Sequence, residues 1–187
     1  MLVTSADKQK NTIVEGIKQS GFSVTSILGV MDDLYVNVEM SDPDCIIIDL
    51  KNPNSEYLEQ IRKVNRELPK PVVMFSESAE YDVIEEVVKS GVHAYIVDGL
   101  DLNRIKPIVE TAMLRFNEFQ KLRNQLNEAQ TSLKDRKNID IAKGLLMEHK
   151  NMSESEAYKK LRKMAMDQNK KMGEIAENVI SMFRLLS

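Results

Sequence analysis

Cys45-Ile46-Ile47-Ile48-Asp49-Leu50 is a continuous apolar run that stops at a carboxylate. A half-buried strand would alternate apolar with polar residues, so an unbroken run of this length predicts a strand covered on both faces. Such strands belong to parallel sheets sandwiched between helices, and the residues on either side repeat that theme. Asp42-Pro43-Asp44 before the run is a turn. After it, Asn54-Ser55 can cap a helix carrying Leu58, Ile61, Val64 and Leu68, which Pro69 closes.

Further out, Pro71 to Ser76 is a second apolar strand. A helix over 80–90 with Val83, Ile84, Val87 and Val88 stops at Gly91, and Val92 to Val97 is the last strand. Toward the N-terminus, Leu2-Val3-Thr4 is a short strand. Residues 8–20 place Ile13, Val14 and Ile17 at helical spacing, Phe22 to Leu28 reads as a strand after Gly21, and Asp33 to Met40 as a helix. Five strands alternating with helices predict an α/β fold: a doubly wound, five-stranded parallel sheet with right-handed crossovers.

From Asp101 the pattern changes. Asp101 can cap a helix, and Pro107 must either kink that helix or lie in its first turn. No breaker follows until Gly144. Phe119, Leu122, Leu126, Ala129 and Leu133 recur at alternating spacings of three and four, a coiled-coil seam on a helix about 40 Å long between Ile108 and Asp135. Pairing with a second chain would cover that seam, and so would an antiparallel return onto the chain's own last helices.

The final residues read as three helices. The first, over 137–149, carries Ile139, Ala142, Leu145 and Leu146. Ser153 with Glu156 is a capping box opening the second, with Ala157, Tyr158, Leu161, Met164 and Ala165 inward. The third, over 172–185, carries Ile175, Ala176, Val179, Met182 and Phe183. Gly144 inside the first costs about 1 kcal/mol against alanine, which predicts a close helix contact or the approach of a ligand. The division expected is 1–106, 107–136 and 137–187.

Composition narrows the function. Of 187 residues 42% are hydrophobic and 29% charged, as in a folded globular chain. No apolar stretch is long enough to cross a bilayer and no leader pattern opens the chain, so the expected address is the cytoplasm, with no membrane partner. The single cysteine, Cys45, reads as a core residue. His93 and His149 have no metal or nucleophile partner by spacing, so no enzyme is expected. From Lys134 onward 12 basic and 8 acidic residues give +4, whereas the earlier part, with 14 basic and 21 acidic, carries −7. A basic end on an acidic body suits a polyanionic partner.

Ligands of open α/β sheets bind beyond the carboxyl ends of the strands. Asp49, Ser76 and Asp98 close three of them here. Asp49-Leu50-Lys51-Asn52-Pro53 resembles the phosphoacceptor turn of response-regulator receiver domains, a likeness covering residues 1 to about 105. It implies Asp49 as candidate phosphoacceptor and Ser76 as the hydroxyl beside the phosphoryl group. Two departures follow. Where receivers hold Mg²⁺ with two acids this sequence reads Thr4-Ser5-Ala6, with Asp7 slightly late, and where they place a lysine it has Asp98. Phosphoryl transfer to a carboxylate needs cations to offset charge on the equatorial oxygens. The expectation is a phosphorylation-independent pseudo-receiver without a cofactor, its Mg²⁺ pair lost.

Ile141-Ala142-Lys143-Gly144-Leu145-Leu146-Met147, Ser153, Glu156-Ala157-Tyr158, Leu161-Arg162, Ala165-Met166 and Ile175-Ala176 resemble the ANTAR domain, the RNA-binding output of transcription antitermination regulators. The whole-chain pattern is similar to the nitrate-responsive antiterminators and, more distantly, to an amidase-operon one. The resemblance implies a homodimer presenting two ANTAR units to hairpins of a leader mRNA. It also implies a ligand-sensing inhibitory partner protein that responds to nitrate or nitrite. From charge and position, Lys143, Arg162, Asn169 and Lys171 are the expected RNA contacts. A phosphorelay adaptor acting through protein contacts is the alternative. A DNA-binding regulator is weaker, since no helix-turn-helix is visible.

Overall fold

The computed structural model describes residues 1–5, 10–97 and 100–186, with side chains through residue 184. It divides into two compact units, Met1–Gln120 and Lys121–Ser187.

The first unit is built on strands β1 (Leu2–Thr4), β2 (Ile27–Leu28), β3 (Ile46–Asp49), β4 (Val72–Phe75) and β5 (Ala94–Ile96). All pairings are parallel, in the order β2-β1-β3-β4-β5. Helices α1 (Lys10–Gln19), α2 (Leu34–Ser41), α3 (Ser55–Glu67) and α4 (Tyr81–Lys89) alternate with them. The alternation of side chains along β3 explains the unbroken run. Ile46 and Ile48 join Leu34, Val38, Leu58, Ile61, Val64 and Val87 from α2, α3 and α4 on one face. Ile47 joins Ile13, Ile17, Ile105 and Val109 on the other. Each isoleucine is thus buried whichever way it points, for roughly 1.5–3 kcal/mol apiece.

Local chemistry sets the element ends. The Asn54 carboxamide oxygen accepts from the Tyr57 N–H at 2.8 Å to start α3, and Asp33 does the same for Val36 at 3.0 Å to start α2. The strand expected over 22–28 shrinks to two residues. Over 22–26 no strand is formed, although the Ser26 carbonyl accepts from the Leu2 N–H. β2 lies at the sheet edge, where one ladder suffices.

Asp101 caps a 3₁₀ turn, Leu102–Arg104, and Pro107 falls in the first turn of α5 (Ile105–Lys150), which needs no N–H there. α5 passes 136/137 as one unbroken helix, so the expected stalk and first C-terminal helix are a single element. Among the described residues no helix is long and apolar enough to cross a membrane.

In the second unit, the end of α5 packs with α6 (Glu154–Asp167) and α7 (Met172–Leu186). Ala142, Leu146, Ala157, Leu161, Ala165, Ile175, Ala176 and Val179 form its core. The capping box is present in both directions, with Ser153 and Glu156 serving each other's backbone. Tyr158 and Met182, expected inward, are exposed: the inward row of α6 is Ala157, Leu161 and Ala165, which Tyr158 adjoins, and Met182 lies beyond Val179 and Ile180, where the buried core of α7 ends. Left-handed asparagines turn both corners: Asn151 (φ 48°) after α5 and Asn169 (φ 51°) after α6.

Candidate functional site

At the carboxyl edge of the sheet, Thr4 and Asp49 end paired strands in register. The Thr4 hydroxyl donates to Asp49 Oδ2 at 3.0 Å, and the Ser5 N–H reaches the Asp49 carbonyl at 3.4 Å. Burial raises the Asp49 carboxyl above its ordinary range, opposed by the Thr4 hydrogen bond. Ser76 is buried and committed: its hydroxyl donates to the Lys51 carbonyl at 2.6 Å and accepts from the Ser78 N–H at 3.3 Å. The Lys51 ammonium is held by Glu77 at 2.9 Å. Asp7 and Asp98 lie outside the described residues. Among the described residues, the hydrogen-bond partner of the Asp49 carboxylate is the Thr4 hydroxyl, with Glu77 and Lys51 acting on it electrostatically.

The second candidate site is the corner between α6 and α7. The Asn169 N–H bonds the Met166 carbonyl at 3.2 Å and the Lys170 N–H the Ala165 carbonyl at 3.0 Å. This is the Schellman arrangement, which wants a left-handed residue, and asparagine tolerates it better than most. The turn gathers Arg162, Met166, Asn169, Lys170 and Lys171 around one shallow concavity. Three of the four expected RNA contacts therefore meet. Lys170, legible in the sequence only as one of several basic residues, and Met166, not singled out there as a contact, line the same concavity. An asparagine closing a helix just before two lysines was the available signal.

Lys143 is placed differently. Its ammonium bonds Asp140 and Glu154, both at 2.8 Å, and its side chain is only 16% exposed. Those two hydrogen bonds, Asp140's first, raise its pKa, so the cation is fixed and already neutralised. The expected close contact at Gly144 is absent: a Cβ there would meet nothing within 4 Å. Gly173 is the tight position instead. A Cβ on it would fall onto the Asp135 carboxylate, with the Asp135 Cβ itself 2.8 Å away. The imidazole of His149 stacks on Phe183 with 4.8 Å between centroids.

The seam is bare. Residues 121–134 of α5 are exposed on every side of the helix. Phe119, Leu122, Leu126 and Leu133 are 55–69% exposed.

Residues 127–180 match the ANTAR domain. The transcriptional regulatory protein PdtaR of Mycobacterium tuberculosis is 26% identical over 168 residues, 90% of this chain and 82% of that protein. The nitrate regulatory protein of Klebsiella oxytoca is 37% identical over 84 residues, 45% of this chain but 21% of that protein. Among solved structures, a CheY-like response regulator receiver domain from Methanospirillum hungatei superposes with a TM-score of 0.52 at 15% identity, covering 63% of this chain and 94% of that one. This chain carries an ANTAR domain over residues 127–180, after a receiver-like α/β fold, and is similar to transcriptional regulatory proteins.

Proposed function

We propose that this protein is a transcription antitermination regulator that binds hairpin-bearing leader RNA through its ANTAR domain. The observation that carries the reading is the α6–α7 corner. Arg162, Lys170 and Lys171 converge there, and none takes part in an ion pair among the described residues. Unpaired cations around an asparagine amide and an exposed methionine suit phosphates flanking an unstacked base. Gly144 adds a bare stretch of helix backbone that a ligand could approach closely.

The exposed seam supports a homodimer. With Phe119, Leu126 and Leu133 at a positions and Leu122 and Ala129 at d, a parallel pair sets Glu118 of one chain beside Arg123 of the other. Two ANTAR domains would then meet two hairpins, preventing a terminator from forming. Resemblance to a nitrate regulatory protein supports nitrate or nitrite assimilation genes as the target; a ligand-sensing inhibitory partner is part of the same proposal. The Thr4 hydroxyl on Asp49, where receivers place an acid, supports control without phosphorylation.

The test is transcription in vitro from a template with a two-hairpin leader and terminator. Added protein raises read-through, and disrupting either hairpin loop abolishes the effect. Unchanged termination with intact hairpins and full-length protein refutes the reading.

A further inference from the structure

Between Lys18 and Lys51 the sequence holds no lysine or arginine at all, yet it holds Asp32, Asp33, Glu39, Asp42, Asp44 and Asp49. The segment folds as the edge of the receiver-like domain: β2, the turn after it, α2, and the loop into β3. α2 is apolar beyond what its own packing uses. Leu34 and Val38 face the core, whereas Val36 and Met40, one turn apart on the outer face, are 44% and 81% exposed. Met31, at the tip of the turn before the helix, is 96% exposed.

The cations that touch α2 and its C-cap come from α3 and the turn after it. Lys63 lies over the Tyr35 ring and Lys70 pairs with Asp42. Neither engages Asp33 or Glu39, which flank the exposed side chains. The exposed, polarisable Met40 beside Val36 can accept an apolar helix face, while Asp33 and Glu39 on the same element attract its positive charges.

We propose that the outer face of α2 docks an amphipathic helix of a partner protein, one bearing leucine-type side chains on one face and lysine or arginine beside them. The apolar patch selects the partner's face, and the carboxylate rim rejects acidic helices by like-charge contact.

The experiment uses the full-length protein and a fluorescein-labelled synthetic peptide of leucine and lysine arranged at helical spacing, read by anisotropy at low salt. Wild type binds it. A scrambled peptide of the same composition, and the variant Glu39→Lys/Met40→Lys, each bind at least about tenfold more weakly. Both side chains point outward, so the variant keeps the wild-type melting temperature, which is measured alongside. Equal affinity for the ordered and scrambled peptides, equal affinity of variant and wild type, or no binding by wild type overturns the proposal.

Discussion

His93 and Val72 are joined twice: the His93 N–H donates to the Val72 carbonyl at 2.8 Å, and the Val72 N–H donates back to His93 Nδ1 at 3.2 Å. A side chain thus completes the ladder just before β5 begins, and the ring also meets Phe116 edge-on at 5.0 Å between centroids. Nδ1 can accept only when it carries no proton. Burial lowers the His93 pKa below its ordinary 6.5. In the folded state the imidazole therefore resists protonation that the unfolded chain accepts. Its contribution is complete above pH 6.5 and is lost as pH falls through the depressed folded value. Denaturant titrations between pH 7.5 and 5 should show stability declining below about 6.5. In His93→Ala that part of the slope disappears, and the orphaned Val72 N–H lowers stability at neutral pH by about 1–2 kcal/mol.

Asp49 behaves oppositely. Burial holds its carboxyl above the usual range, so ionisation costs more folded than unfolded. That penalty is complete above the folded pKa and vanishes as pH falls below the unfolded one. Asp49→Asn keeps an acceptor for the Thr4 hydroxyl and removes the charge. Its thermal midpoint at pH 7 should rise, with leader-RNA affinity unchanged. A lowered midpoint, or lost affinity with acyl-phosphate labelling of wild type alone, would contradict this account.

The cations of the second unit should separate by their partners. Lys171→Ala and Arg162→Ala remove charges free to meet phosphate. Each should reduce RNA affinity and flatten the dependence of log affinity on log salt by about 0.7–0.9. Lys143→Ala removes a cation already shared between Asp140 and Glu154, so its effect on the salt slope should be smaller. Equal slopes for all three variants would remove the distinction.

Two glycines should respond in opposite directions. Gly144→Ala adds a methyl group to open space within a helix and should stabilise the protein by up to about 1 kcal/mol. Gly173→Ala meets Asp135 down to its Cβ, so turning the carboxylate aside gives no relief, and α7 must shift from α5. A loss of about 1–3 kcal/mol is expected. Paired thermal melts check both signs.

Leu126→Glu tests the seam. This residue is 58% exposed and belongs to no buried core cluster among the described residues, so helix content should not change. Sedimentation equilibrium should show wild-type dimer and variant monomer over the same concentration range. A variant that stays dimeric moves the self-association elsewhere.

Much of the architecture was legible because periodicity reports burial. Ile46, Ile47 and Ile48 announce a strand covered on both faces, and the run without breakers after Pro107 announces a long helix. What escaped reading depends on neighbours distant in sequence. Nothing around Gly144 and Gly173 says which one faces another helix. Asp140 lies three residues from Lys143 and was visible, but Glu154 reaches it from α6 only after folding. The concavity at Asn169 was half legible: charge marked Arg162 and Lys171, but the left-handed turn that unites them needed the structure. The strand over 22–28 was overread because alternation cannot tell a hydrogen-bonded ladder from a merely extended segment.

Asn151 and Asn169 each turn a corner of the second unit with one residue in a conformation most side chains avoid. Turns that tight hold no slack. Chain length there is as constrained as the core, and an affinity tag, fluorophore loop or circular permutation placed at either asparagine should unravel the helices it joins. Isoleucine or valine at either position should be poorly tolerated and glycine accepted. Anyone instrumenting this protein should leave both junctions untouched.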